Sequence, residues 1–151
     1  MNVLLDTNVL GRMTEPGHAQ HQLAVDAVAA LVGRGDSPCL VPQVLYEFWV
    51  VATRPVAANG LGMTPSQAAA EIARLERLFT VLPDSPAIYA EWKRLVATHS
   101  VAGKNAHDAR LVAAMTVHGL TQLITFNTAD FARFPGITAF DPASLTAPPT
   151  P

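Results

Sequence analysis

The sequence predicts an α/β domain with a mostly parallel central sheet of about five strands flanked by helices. Short apolar runs alternate along the chain with longer segments of helical periodicity, which is the pattern of parallel α/β folds. Half of the residues are hydrophobic and 15% are charged, as in a folded domain. The 151 residues are close to the length of one ordinary domain.

Five short apolar runs predict the strands. The first run stops at Asp6, and runs of this kind without internal polar residues are typical of parallel strands buried on both faces. In chain order the predicted strands are residues 3–5, 39–41, 79–82, 120–125 and 137–140.

The longer segments between these runs predict the helices. Gly33 and Gly119 follow two of them, as glycine does at helix C-termini. Thr64-Pro65-Ser66-Gln67 predicts a capping box with proline in the first helical position. The predicted helices are a short turn over 7–12 and helices over 18–32, 42–53, 64–78, 85–99 and 105–118. We expect one domain over residues 1–142 and a flexible, proline-rich tail over 143–151.

Charge, cysteine content and hydropathy exclude several classes of protein. The net charge of −2 argues against a protein that coats nucleic acid, so a phosphate substrate would need local cations or bound metal. The single cysteine, Cys39, excludes a disulfide framework within the chain. No apolar stretch approaches the roughly 20 residues that cross a bilayer, and no signal peptide precedes the first strand. We therefore expect a cytoplasmic protein without a membrane partner.

Three carboxylates fall where the predicted fold would bring them together. Asp6 follows the first strand, at the sheet edge where open α/β sheets bind ligands. Glu47 shares a helix face with Val44 and Val51, which is a costly place for an ionised carboxylate unless it is paired or bound to a metal. Asp108 lies in the first turn of the last long helix. Hard oxygen ligands without cysteine favour Mg²⁺ or Mn²⁺ over Zn²⁺.

Each acid also has a purely structural alternative. Asp6 can cap the helical turn that follows it, and the helix dipole favours Asp108 at a helix start. Glu47 can pair with an arginine, such as Arg12 or Arg54. These alternatives do not explain why three acids fall at positions that the predicted fold would bring together, in a chain with only 15% charged residues.

Asn127 and Asp130 follow the fourth predicted strand, again at its carboxyl end. Either residue can supply an oxygen to a metal or orient a metal-bound water, although both are also common in turns. We expect hydrogen bonds from Thr7 or Thr125 to fix the carboxylates. The basic residues close in sequence to this site could hold a phosphate substrate or be solvated surface, and they are Arg12, Arg54, Lys104, Arg110 and Arg133.

The segment Leu5-Asp6-Thr7-Asn8-Val9-Leu10 resembles the opening motif of PIN-domain nucleases. Later pieces follow in the order and approximate spacing of that family, namely Glu47, Asp108-Ala109, Thr125-Phe126-Asn127 and Asp130-Phe131. Residues 47–55 and 59–62 resemble one subgroup of its VapC-type toxins, which belong to type II toxin–antitoxin systems. The resemblance covers the chain up to the proline-rich tail.

The resemblance implies a PIN-like three-layer fold and endonucleolytic cleavage of RNA by a metal-activated water, with one or two Mg²⁺ or Mn²⁺ ions. It also implies a small cognate VapB-type antitoxin as partner, and a homodimer. Asp6, Glu47 and Asp108 match the three principal metal-binding acids, with Asp130 as a further candidate. Asn127 stands where many relatives carry a fourth aspartate, and we expect it to position a metal-bound water.

Other functions stay open from sequence alone. A housekeeping RNA-processing nuclease of the same superfamily would carry the same acids. A catalytically silent PIN-like interaction domain would use them only at helix starts. A phospho-acceptor receiver domain is disfavoured, because both lysines, Lys93 and Lys104, precede the fourth strand, whereas that class needs a lysine after its last strand.

Overall fold

The computed structural model describes residues 1–146. The strands of this range are β1 (Asn2–Leu5), β2 (Ser37–Leu40), β3 (Thr80–Val81), β4 (Gln122–Ile124) and β5 (Thr138–Phe140). The helices are α1 (Thr7–Met13), α2 (His21–Gly33), α3 (Pro42–Thr53), α4 (Pro65–Leu78), α5 (Pro86–Thr98), α6 (Asn105–Val117) and α7 (Pro142–Thr146). Two short 3₁₀ turns cover Val56–Ala58 and Thr128–Phe131.

The five strands form one sheet in the order β3-β2-β1-β4-β5, and every pair of neighbours is parallel. The chain adds strands on one side of β1 up to β3 and then continues on the other side with β4 and β5. The α/β prediction is confirmed, and β1 lies at the centre beside the point where the strand order reverses. Open α/β sheets bind ligands at such a point.

The central strand is buried because its side chains are apolar on both faces. Val3, Leu4 and Leu5 are fully buried, and Leu4 lies in register with Cys39 on β2 and Leu123 on β4. The Cys39 thiol donates a 3.5 Å hydrogen bond to the carbonyl oxygen of Val3, and burial raises the pKa of this thiol to about 11. Cys39 is therefore part of the core.

The helix predictions hold with small shifts at the ends. α2 begins at His21, three residues later than predicted, because residues 15–21 form turns in which His18 bonds back to Glu15. The expected tail from residue 143 starts within α7, which packs against α2 and places Leu145 against the core. That tail is therefore helical as far as Thr146, and its remainder, 147–151, lies outside the described residues. No helix within residues 1–146 combines the length and apolar character needed to cross a membrane.

The capping box of α4 is confirmed. The Thr64 hydroxyl accepts a hydrogen bond from the Gln67 backbone at 3.1 Å, and the Gln67 side chain accepts one from the Thr64 backbone at 2.9 Å. We expect Thr64→Ala to lower the free energy of unfolding by about 1 kcal/mol, since one backbone donor of the first turn loses its partner. Urea unfolding measures this, with Ser66→Ala in the same turn as control. Equal losses in both variants would contradict the assignment.

Candidate functional site

The candidate site lies at the carboxyl edge of the sheet, beside the centre. Asp6 follows β1 directly, and its backbone N–H extends the strand ladder with a 3.0 Å hydrogen bond to the carbonyl oxygen of Ile124 on β4. Its side chain is 9% exposed. The residues that follow β1, β2 and β4 meet here because these strands are neighbours and run in the same direction.

The two oxygens of Asp6 have different partners. Oδ1 accepts the backbone N–H of Thr7 at 2.7 Å, which caps α1 as the structural alternative predicted. Oδ2 accepts the hydroxyl of Thr125 at 2.8 Å. The cap therefore uses one oxygen only, and capping does not exclude a second role for this carboxylate.

The fully buried Thr125 hydroxyl is the centre of this arrangement. It accepts from the side-chain amide of Asn8 at 3.2 Å and from the backbone N–H of Asn127 at 3.0 Å. A hydroxyl has two acceptor positions and one hydrogen. With both acceptor positions occupied, the hydrogen is directed to Asp6, and the Asp6 carboxylate is fixed in place.

The polar residues of the segment Asp6-Thr7-Asn8 bond to two distant parts of the chain. The Thr7 hydroxyl donates to Glu47 Oε2 on α3 at 2.9 Å. The Asn8 side-chain oxygen accepts the backbone N–H of Phe126 at 3.2 Å. The motif therefore joins α1 to α3 and to the segment after β4, and the expected carboxylate-fixing roles of Thr7 and Thr125 are confirmed.

Glu47 is half-buried and held by neutral donors. Thr7 donates to one of its oxygens, and the Gln43 side chain donates to the other, Oε1, at 2.9 Å. In the part of the chain that the structure describes, neither Arg12 nor Arg54 forms an ion pair with Glu47. The arginine-pair alternative is wrong, because Arg12 pairs with Glu15 and the donors to both Glu47 oxygens are a hydroxyl and an amide.

The acids act on one another electrostatically. Burial raises the pKa of Asp6 to about 6 although the hydrogen bonds from Thr125 and Thr7 lower it, and the charges of Glu47 and Asp108 raise it further. Such mutual repulsion is expected where carboxylates face one another without a cation.

Asp108, in the first turn of α6, experiences the same environment. Burial raises the pKa of its carboxyl first, and the charges of Asp130 and Glu47 add to the effect. The charges of His107 and Arg133 oppose this shift. Asp108 and Asp130 therefore lie within electrostatic reach of each other, although Asp130 follows β4 and Asp108 precedes it.

The donor set fits a hard divalent cation in charge and in chemistry, since it consists of carboxylate oxygens that repel one another. Within residues 1–146, however, no group of three or more His, Cys, Asp or Glu side chains is close enough to hold a metal ion. The structure brings the acids to one edge without bringing them to ligand distance, and the metal site stays a prediction.

The basic residues predicted to hold RNA differ in their surroundings. Arg12 bonds to Gln20 at 3.1 Å and pairs with Glu15 at 3.7 Å. Arg54 directly follows α3, and Lys104 is exposed just before α6. These contacts and positions do not show whether the three residues bind RNA, so their role stays a prediction.

Two side chains near the acids were not assigned a role from the sequence. Gln43, on α3, is buried and bonds to Glu47. Asn8, on α1, bonds to Thr125. The available indication for Gln43 was its position four residues before Glu47, which places both on one helix face. The sequence indicated Asn127 as a residue whose side chain would position a water. In the structure Asn127 is exposed, and its backbone N–H donates to the Thr125 hydroxyl.

The chain is similar to known proteins along nearly all of its length. The PIN domain family profile matches residues 3–137. Ribonuclease VapC24 of Mycobacterium tuberculosis is 29% identical over 139 residues, which cover 91% of this chain and 94% of that protein. The structure of VapBC-1 from nontypeable Haemophilus influenzae is 18% identical with a TM-score of 0.70, and covers 95% of this chain and 99% of that chain. A toxin–antitoxin complex from Klebsiella pneumoniae is 23% identical with a TM-score of 0.64, covering 93% and 97%. The chain belongs to the PIN-domain family.

Proposed function

We propose that the protein is a divalent-cation-dependent endoribonuclease and the toxin of a VapBC-type toxin–antitoxin pair. The observation that carries this proposal is the convergence of Asp6, Glu47 and Asp108 at the carboxyl edge of a PIN-domain sheet. The relative named Ribonuclease VapC24 supports cleavage of RNA and matches nearly the whole length of both chains. A housekeeping RNA-processing nuclease and a silent interaction domain remain the alternatives.

Asp6, Asp108 and Glu47 would hold one or two Mg²⁺ or Mn²⁺ ions, with Asp130 as a further ligand. When bound, such a cation supplies charge neutralisation at the phosphate and lowers the pKa of its water. The chain's own residues do the positioning. Thr125 fixes the Asp6 oxygen. Glu47, held by Thr7, would orient an attacking water.

Cation dependence provides the direct test of this proposal. Purified protein is incubated with a panel of structured RNAs in Mg²⁺, in Mn²⁺ and in EDTA. We expect cleavage with either cation, none in EDTA, and recovery when Mn²⁺ is added back. Cleavage that persists in EDTA would exclude the metal-dependent mechanism, and failure to cleave any RNA while Mn²⁺ binds would favour the silent interaction domain.

An apolar groove on α3 is the surface we assign to the antitoxin. The groove, of about 900 Å³, lies between α3, α4 and β3 and is lined by Pro42, Leu45, Tyr46, Trp49, Ile72, Glu76, Arg77, Leu78, Phe79, Thr80 and Val81. Tyr46 and Trp49 line the groove from α3, the helix that also carries Glu47. The toxin–antitoxin complexes among structures of the same fold support an antitoxin as occupant.

We expect Tyr46→Ala to weaken antitoxin binding by about tenfold or more, as truncation of a central interface aromatic does. Tyr89→Ala is a matched control, because Tyr46 is 64% exposed and Tyr89, on α5, is 65% exposed. Binding is measured by calorimetry with the VapB-type antitoxin that we propose as partner. If the groove instead joins two copies of the chain, Tyr46→Ala will change the molar mass in light scattering and leave antitoxin affinity intact. The predicted homodimer and the cytoplasmic location both stay predictions.

A further inference from the structure

The buried polar or charged side chains in residues 1–146 are Asp6, Gln43 and Thr125. Asp6 and Thr125 are bonded to each other. Gln43 has no role in the chemistry described so far. Gln43 is 6% exposed. Burying an amide is costly unless each of its groups finds a partner, so a buried glutamine indicates a specific set of bonds.

Gln43 joins α3 to α6 through three hydrogen bonds. Its side-chain Nε2 donates to Glu47 Oε1 at 2.9 Å and to the backbone carbonyl oxygen of His107 at 2.7 Å. Its Oε1 accepts from Nη1 of Arg110 at 3.0 Å. Only one orientation of the amide satisfies all three bonds, because the reverse would place oxygen against two acceptors and nitrogen against a guanidinium.

This arrangement has two consequences for the acids. The bond to His107, the residue before Asp108, ties the Glu47 helix to the start of α6 and so limits the spacing of Glu47 and Asp108. The bond from Arg110 to Gln43 keeps the guanidinium one side chain away from Glu47. The Nη2 atom of Arg110 instead lies 3.4 Å from Oδ1 of Asp84. A direct arginine pair would compete with a cation for the Glu47 carboxylate.

We propose that Gln43 is a positioning residue that orients Glu47 and sets its distance from Asp108, with Arg110 fixing the orientation of the Gln43 amide. The inference rests on the proposed cation-dependent function. It assigns Gln43 an effect on cation affinity and on turnover, rather than on substrate binding.

The test uses Gln43→Met, which keeps the side-chain length and removes all three hydrogen bonds. Mn²⁺ binding is measured by calorimetry on the full chain without RNA, and kcat and KM are measured on a cleavable RNA. We expect Mn²⁺ affinity to fall about tenfold or more, as for other groups that orient metal ligands. The value of kcat should fall with it, while KM changes little. Gln22→Met is a matched control, since Gln22 donates at 2.8 Å to Asp26, also four residues later, on the exposed face of α2.

A double-mutant cycle separates positioning from a general loss of packing. Arg110→Met, at a half-exposed position, should lower Mn²⁺ affinity less than Gln43→Met, and the double variant should be no worse than Gln43→Met alone. Additive losses, or Gln43→Met behaving like Gln22→Met, would overturn the inference while leaving the proposed function intact. If Gln43→Met fails to fold, the Arg110→Met variant still tests the inference. An Mn²⁺ affinity in that variant equal to that of the wild type would overturn the inference. Wild-type protein that binds no Mn²⁺ overturns both.

Discussion

Replacing Asp6 by asparagine is expected to reduce Mg²⁺- or Mn²⁺-dependent RNA cleavage by at least a hundredfold. Asparagine keeps the size of the side chain, and its oxygen can still cap α1. What it removes is the negative charge at the centre of the acidic edge. Losing one group that stabilises charge in a transition state typically costs about 3 kcal/mol or more, which corresponds to this factor.

The measurement is the initial rate on one cleavable RNA at saturating Mn²⁺. Asp26→Asn is the control, because Asp26 is an exposed acid of α2 whose recorded side-chain bond is to Gln22. Its rate should equal that of the wild type. Substantial activity in Asp6→Asn would show that this carboxylate serves as a helix cap alone.

The second large effect is a pH-dependent change in stability, measured without divalent cations. Burial raises the pKa of Asp6 from 3.8 to about 6 in the folded chain. A carboxyl whose pKa is higher in the folded state destabilises the fold when it is ionised. The cost is absent below the unfolded pKa, near 4, and fully present above the folded pKa, near 6. A shift of this size corresponds to about 3 kcal/mol.

We therefore expect the stability of the wild type relative to Asp6→Asn to fall by about 3 kcal/mol as the pH rises from 4 to 7 in EDTA. Asparagine also places a donor against either the Thr125 hydroxyl or the Thr7 N–H, but this cost does not depend on pH and cancels in the slope. Urea unfolding at several pH values gives the difference. A constant difference over this range would contradict the assigned burial cost. Adding Mn²⁺ at pH 7 should stabilise the wild type far more than the variant.

Much of the fold follows from local patterns. Residues 3–5 lack any polar side chain, so a strand buried on both faces was predictable, and Asp6 marks its end. The capping box at Thr64 and Gln67 was predictable because its partners are three residues apart. Helix α7 was missed, since five residues beside prolines carry too little periodicity to distinguish a short packed helix from a tail.

The hydrogen bonds of the site were harder to predict because they join distant parts of the chain. The residues of the Thr125–Asp6 bond are 119 positions apart, and those of the Thr7–Glu47 bond are 40 apart. Sequence reasoning could name two threonines as candidates, but it could not decide between neutral donors and an arginine for Glu47. That choice depends on which helices pack side by side. Gln43 was overlooked for the same reason, since two of its three bonds reach α6.

The position of Cys39 gives the chain an internal chemical reporter. Alkylating reagents attack the thiolate, and this thiol is buried in the core with its pKa raised to about 11. Iodoacetamide will therefore modify Cys39 only in molecules in which the core around this thiol has opened. Because the sequence has one cysteine, mass spectrometry of the intact chain can follow the rate at which the core around Cys39 opens, with and without Mn²⁺, and no label has to be introduced.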